Sequence, residues 1–318
     1  MMINTEYKST GPFMGPHIRE KWTSQWIMQQ VLIALIFPTI AATYFFGLQS
    51  LIMILVSIFA CVGLEFSFQK IFHKKVTIND YSAVITGWLL ALSLPVTAPL
   101  WTLLVGDFIA IIVVKQFTGG IGRNWLNPAV AARVLLKLFF SPWITNWVTP
   151  QPDVVATATP LAGLGNFARD VSSTTPDLFD LFMGIGLGGP IGETSKFALL
   201  LSAIYLIARK IINPLIPVLT LGSFYVAILL YSSFNFAFAN AHLLSGALIF
   251  AAVFMVTDYT TSPLTDKGKY IFAIGCGVLA VVLRISLDLP GGIGVAILVM
   301  NLLTPLINKY TVSRIYGE

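Results

Sequence analysis

The chain is short of charge. Only 10% of its 318 residues are Asp, Glu, Lys or Arg and 56% are hydrophobic, where a soluble globular domain carries roughly 25% charged residues. That excludes an ordinary water-soluble domain and points to a membrane protein. Thiols are scarce too. Cys61 and Cys276 lie far apart in apolar runs, with no CxxC and no neighbouring histidine, which excludes a zinc site and an iron–sulfur set. No basic stripe is present: the formal charge of +5 is spread among short loops, a pattern of membrane topology rather than of nucleic-acid binding. The first 25 residues are polar and mixed, so no removable signal peptide is expected and the first span serves as its own insertion signal.

What the chain has in abundance is apolar runs. At about 1.5 Å per residue, crossing roughly 30 Å of hydrocarbon takes close to twenty residues. Suitable stretches occur at 26–48, 50–68, 81–97, 99–117 and 128–148, and again at 196–212, 214–232, 240–257, 270–287 and 291–307. The expected fold is therefore an all-α polytopic membrane protein of ten transmembrane helices, with both termini on one side. Its parts are an N-terminal segment (1–25), five helices (26–148), a long loop (149–195), five further helices (196–307) and a tail (308–318).

Lys and Arg set the orientation. Lys8, Arg19, Lys21, Lys70, Lys74, Lys75, Lys115, Arg123, Arg209, Lys210, Lys267, Lys269, Lys309 and Arg314 fall on the terminal side. Only Arg169, Lys196 and Arg284 fall on the other, and Arg133 and Lys137 lie inside helix five. Both termini are expected in the cytoplasm of a prokaryotic cell and loop 149–195 on the outer side. That loop is net acidic, with Asp153, Asp170, Asp177, Asp180 and Glu193, and long loops without periodicity are usually functional or disordered.

Five helices per half is an odd number, so structural repeats would be inverted across the membrane. "GGIG" at Gly119–Gly122 and again at Gly291–Gly294 is a weak echo of that; two chance glycine turns explain it equally well. Inverted repeats with Gly/Pro-broken helices place binding sites at the repeat interface.

Few residues in the chain can carry chemistry. Asp107 in "VGDFIAIIVVKQ" and Asp258 in "FMVTDYTTSP" are acids in or near apolar helices, where a charge is expensive and usually faces a cavity or partner. They are candidates for an ion path, or else helix-end residues at headgroup level. In "GGIGRNWLNPAVAARVLL", Asn127 and Pro128 suit a helix start. The alternative is that Arg123, Asn124 and Asn127 present donors to a polar ring or phosphate. The single Asn127-Pro128-Ala129 invites a water-channel reading. Against it stand the missing second motif, the late Arg133 and ten spans in place of six. "GGPIGETSKFALLL" leads Gly-rich backbone into helix six, with Gly192, Glu193 and Thr194 at its start, an anion-favouring position or a plain cap. "VVATATPLAGLG" places Thr157 and Thr159 among small residues. With no histidine nearby to act as base, modification suits these threonines better than turnover, while Pro160 holds the chain extended before it. An ordinary turn is the other reading.

Together, "GPHIREKWTSQWIMQQVLIALIFP", "VVKQFTGGIGRNWLNPAVAARVLL", "ATATPLA", "GGPIGETSKFALLL", "FMVTDYTTSP" and "GVAILVMNLLTPLI" resemble, in order, the signature stretches of the D subunit of the Rnf complex, an ion-translocating ferredoxin:NAD oxidoreductase. The B subunit of the sodium-pumping NADH:quinone reductase is similar but carries a longer N-terminal extension. The resemblance implies two inverted five-helix repeats of urea-transporter-like architecture. It also implies FMN joined through its phosphate to a threonine in a motif resembling Ser-Gly-Ala-Thr. On this chain the motif is Ala156-Thr157-Ala158-Thr159, so Thr159 is the implied anchor and Thr157, Ala158, Pro160 and Leu161 flank it. Gly192, Glu193 and Thr194, then Asn124, Asn127 and Arg133, are the next implied flavin contacts.

A second, noncovalent flavin such as riboflavin is compatible with the resemblance. The implied partners are the other members of an Rnf-type complex, a flavin transferase and membrane lipid, with coupling to Na⁺ or H⁺. Ala156 and Thr157 depart from the family motif, as does Pro290-Gly291-Gly292, where members often have Pro-Glu-Gly. Two rival readings are a flavin-free permease on the same fold and a purely structural subunit.

Overall fold

The computed structural model describes residues 23–148, 177–286 and 291–312. Backbone N–H and C=O groups find no water in hydrocarbon and must pair within the protein, and the apolar runs accordingly form helices. They are α1 (Ser24–Phe46), α2 (Leu48–Ile71), α3 (Ser82–Leu92), α4 (Leu100–Phe108, continuing as a π-helical stretch Ile109–Gln116), α5 (Pro128–Phe139) and α6 (Ser141–Ile144). Within the stretch expected as the long loop lies α7 (Leu178–Met183), and after it come α8 (Lys196–Ala208), α9 (Leu215–Tyr231), α10 (Phe236–Leu244), α11 (Leu248–Phe254), α12 (Asp266–Ser286) and α13 (Gly292–Thr311). The chain is a multi-pass membrane protein. Among the described residues, α1, α2, α12 and α13 are each long and apolar enough to cross a membrane, and α10 with α11 makes a fifth if that pair, bent by 57°, is one span.

The interior is apolar, but so is much of the outer surface, and several polar side chains are buried. Ile40, Phe59, Val218, Leu230 and Leu302 are exposed, while Ser57, Glu65, Thr102, Asp107, Lys115 and Thr220 are buried. With lipid as the outer solvent, helices associate through close packing and interhelical polar contacts rather than through a hydrophobic drive. Glycine permits that closeness at one point in each half. A Cβ at Gly87 of α3 would lie 2.7 Å from the Ser57 carbonyl of α2, and one at Gly277 of α12 would collide with Ser223 Oγ and the Thr220 carbonyl of α9.

Several expected spans are shorter or broken. The stretch expected at 81–97 is helical only from Ser82 to Leu92, because Pro95 cannot continue a ladder that needs its N–H. The carbonyls freed at that break are taken up from another part of the chain: Gly192 N donates to Leu92 O (2.8 Å) and Ile191 N to Leu94 O (3.0 Å). A Cβ at Gly192 would lie 2.6 Å from that of Leu92, so glycine is required for this approach. The span expected at 128–148 stops at Phe139, where Ser141-Pro142 starts a separate turn. The span expected at 240–257 is the bent α10–α11 pair, broken at Ser245-Gly246, where Gly246 has φ 75°.

The helices of the two halves pack in corresponding ways. α1 lies against α8 and α5 against α13; α2 packs on α4 as α9 packs on α12, and α3 on α5 as α11 on α13.

Candidate functional site

Two clusters form where broken helices from opposite halves meet. The first surrounds a cleft open at its mouth. Its apolar walls include Ile27, Val31, Leu89 and Phe254, and its polar wall includes Asn124, Asn127, Thr257, Asp258 and Thr260. The sequence builds this wall through two helix ends. Asn127 caps α5, its side-chain oxygen accepting from Val130 N at 3.2 Å, with Pro128 in the first turn. Its Nδ2 is then free to donate to Asp258 Oδ2 at 3.1 Å, across 131 positions. Asp258 follows the end of α11 and also accepts from Thr260 N (3.1 Å), Thr260 Oγ1 and Thr261 Oγ1. Asn301 of α13, with its amide turned to satisfy both neighbours, donates to Thr261 O (3.3 Å) and accepts from Asn127 N (3.1 Å). Asn124 is buried and accepts from Thr118 Oγ1.

Capping therefore explains Asn127 only in part, since its amide nitrogen also ties the halves together. Arg123 does not join this group: it is exposed and absent from the cleft lining.

The second cluster lies midway along α5 and at the start of α8. Arg133 Nη1 is 2.5 Å from Glu193 Oε1, and the Glu193 backbone oxygen accepts from Lys196 Nζ. Thr194 Oγ1 donates to Pro190 O (3.0 Å). The helix cap here is Ser195, which accepts from Ala198 N, so Glu193 and Thr194 are held inside the fold before the helix begins. Gly192, Glu193 and Thr194 thus meet Arg133 and the α3 break, at a distance in the fold from Asn124 and Asn127. Thr157, Ala158, Thr159, Pro160 and Leu161 lie outside the described residues.

Asp107 sits apart from both clusters. Fully buried on α4, it accepts from Ser57 Oγ (2.6 Å) and Cys61 Sγ (3.3 Å), and its Oδ2 has no partner among the described residues. Cys61 and Cys276 are buried free thiols, and the described residues contain no cluster of His, Cys, Asp and Glu able to hold a metal.

Three charged residues expected as loop charges are in the interior: Lys115, Lys196 and Arg284 are all buried. Lys115 Nζ meets Glu65 Oε2 at 2.6 Å and donates to Ser82 Oγ at 2.6 Å, while Gln116 and Gln69 donate to Glu65 Oε1. The π-helical stretch places Lys115 there. Its i→i+5 bonding, seen in Phe117 N to Ile112 O (3.1 Å), widens the turn and carries Lys115 and Gln116 round to face α2; such stretches often mark functional sites. Glu65, in "VGLEFSFQK", and Lys115 are legible in the sequence as charges within apolar runs, although their pairing across 50 positions is not.

Comparison with known proteins decides the family. A family model described as the NQR2, RnfD, RnfE family matches residues 13–317. The chain belongs to this family. A relative from Acetobacterium woodii, named as the D subunit of a Na(+)-translocating ferredoxin:NAD(+) oxidoreductase complex, is 42% identical over 305 residues, covering 95% of this chain and 94% of the relative. A Clostridium ljungdahlii protein, named as the D subunit of a proton-translocating complex of the same kind, is 36% identical, with 95% of each chain covered. The D subunit of an ion-translocating oxidoreductase complex from Vibrio cholerae is 33% identical, covering 96% of this chain and 98% of its own length. Two of these names specify different ions, so membership in the family leaves the ion open.

Proposed function

We propose that this chain is the D-type membrane subunit of an ion-translocating ferredoxin:NAD oxidoreductase complex and relays electrons without being catalytic alone. The observation that carries the reading is the 42% identity to the Acetobacterium woodii protein, which runs along 95% of the chain. In this reading the chain has ten spans in two inverted five-helix repeats. The pairing of α1 with α8 and of α5 with α13, and the matched packing within each half, support that layout. Both termini face the cytoplasm of the inner membrane, and the loop with Thr159 faces outward, where a flavin transferase reaches it.

Thr159 is the proposed covalent anchor for FMN, with Thr157, Ala158, Pro160 and Leu161 around it. The cleft is the proposed place for a second, noncovalent flavin. Its residues fit such a group: amides, hydroxyls and a carboxylate on one wall suit the polar edge and ribityl chain, and aliphatic walls suit the ring system. When bound, flavin supplies the redox chemistry, and the protein supplies orientation and electrostatics. Asn127 and Asp258 hold each other's orientation there, and Ile27, Val31, Leu89 and Phe254 exclude water. Asp107 and Asp258 are the proposed ion-path carboxylates; coupled ion transport unchanged by Asp→Asn at each removes that role.

The test is purification of the native complex from its own membrane, followed by a denaturing gel viewed under ultraviolet light. Flavin fluorescence that co-migrates with this chain, in a preparation that reduces NAD with ferredoxin, supports the reading. A colourless chain that transports a solute without redox partners would instead make it a permease.

A further inference from the structure

Arg284 and Lys115 occupy corresponding places, and only one of them is neutralised. Each is the last basic residue of the helix that precedes a Gly-Gly-Ile-Gly stretch. Each reaches the third element of its own half: Lys115 donates to Ser82 at the start of α3, and Arg284 Nη1 donates to His242 O (2.7 Å) near the end of α10, at the bend of the α10–α11 pair. In the first half, the second helix supplies Glu65 as counter-ion. In the second half, the corresponding helix, α9, offers the ring of Phe224, with the guanidinium carbon 4.8 Å from its centroid.

Unmet polarity gathers around Arg284. Its Nε, both ring nitrogens of His242 and Ser245 Oγ have no hydrogen-bond partner among the described residues, and all three residues are at least nine-tenths buried. Lys196, also buried, lies within electrostatic range of Arg284, and Glu193 lies within range of both. Glu193 is already committed to Arg133 at 2.5 Å. Among the described residues, Arg133, Lys137, Lys196 and Arg284 thus share one carboxylate, in a region where uncompensated charge is strongly disfavoured. Buried donors without partners are rare and call for a missing ligand.

We propose that Arg284, Lys196, His242 and Ser245 form a binding site for a phosphate-type oxyanion, which supplies the counter-charge that Glu65 supplies in the first half. A phosphoryl oxyanion fits because guanidinium and ammonium groups both recognise it, and a hydroxyl and an imidazole beside them add donors for its remaining oxygens. The group comes either from a lipid headgroup or from free phosphate.

The test uses the full-length chain in detergent, followed by tryptophan fluorescence on heating. Inorganic phosphate and short-chain phosphatidylglycerol are titrated separately at constant ionic strength, with chloride as the control, against wild type, Arg284→Gln, Arg284→Lys and Lys196→Met. The site predicts a saturable rise in Tm for wild type that chloride does not give, a smaller one for Arg284→Lys, a weakened one for Lys196→Met and none for Arg284→Gln. A response to phosphatidylglycerol at concentrations where phosphate does nothing identifies a lipid; a response to phosphate itself identifies a soluble anion. Lipid held through purification registers instead as one mole of solvent-extractable phosphorus per mole of chain, separate from any phosphorus bound covalently to the chain, present in wild type and missing from Arg284→Gln. If wild type shows neither response nor extra phosphorus, or Arg284→Gln responds equally, the proposal is overturned. If Arg284→Gln fails to fold, the decision passes to Lys196→Met, whose unaltered phosphate or lipid response overturns it in the same way. A carboxylate of the chain itself as the occupant, Asp288 above all, also overturns it: Asp288→Asn would then open the site to phosphate that wild type ignores.

Discussion

Asn127 and Asp258 stand 131 positions apart and are joined by a 3.1 Å hydrogen bond that ties the start of α5 to the end of α11. The same Asn127 side chain caps α5, so one residue serves a helix end and the junction between halves. Asn127→Ala is expected to destabilise the protein by about 2 kcal/mol, of which about 1 is the lost cap and the rest the lost hydrogen bond to the buried Asp258 carboxylate. A double-mutant cycle with Asp258→Ala, read by thermal unfolding in detergent, should show a coupling of about 1 kcal/mol. Strict additivity would mean that the two side chains are neighbours without being partners.

The Glu65–Lys115 pair should be sensitive to the loss of one member and tolerant of the loss of both. Lys115→Met leaves a buried carboxylate, and Glu65→Leu a buried ammonium, each costing about 3–5 kcal/mol; the double replacement should recover most of that. Unfolding of the three variants measures this. A double variant as unstable as the sum of the singles contradicts a direct pair and points to the Gln69 and Gln116 network as the stabilising element.

Filling the cleft separates the two proposed flavins. Val253 is buried and lines the cleft, and Val253→Trp projects a large ring into it while leaving the outer loop untouched. Acid extraction followed by chromatography should find the noncovalent flavin reduced by more than half, with covalent fluorescence on the gel unchanged. Retention of both would place the noncovalent flavin elsewhere.

Hydropathy locates each of the ten apolar stretches, and helix is present in every one. It cannot see where those helices break, because Leu92, Leu94 and Ile191 look equally apolar whether they are helical or accept and donate bonds across a gap. Asn127 is readable as a cap from Asn-Pro alone, since capping is local. Its bond to Asp258 is not readable, because that depends on how the halves pack. Lys115 illustrates the opposite error. Charge near a span's end reads as a flank, yet the wider turn at Ile109–Gln116 rotates it inward to Glu65. Glu193 and Arg133 are both flavin candidates by sequence, and the fold turns them toward each other.

The most direct test of the redox reading is the intact mass of the denatured chain, coexpressed with a flavin transferase, for wild type, Thr159→Val and Thr157→Val. The account predicts that wild type and Thr157→Val each carry one FMN less one water and that Thr159→Val carries none. An unmodified wild type, recovered from its native membrane, would contradict it.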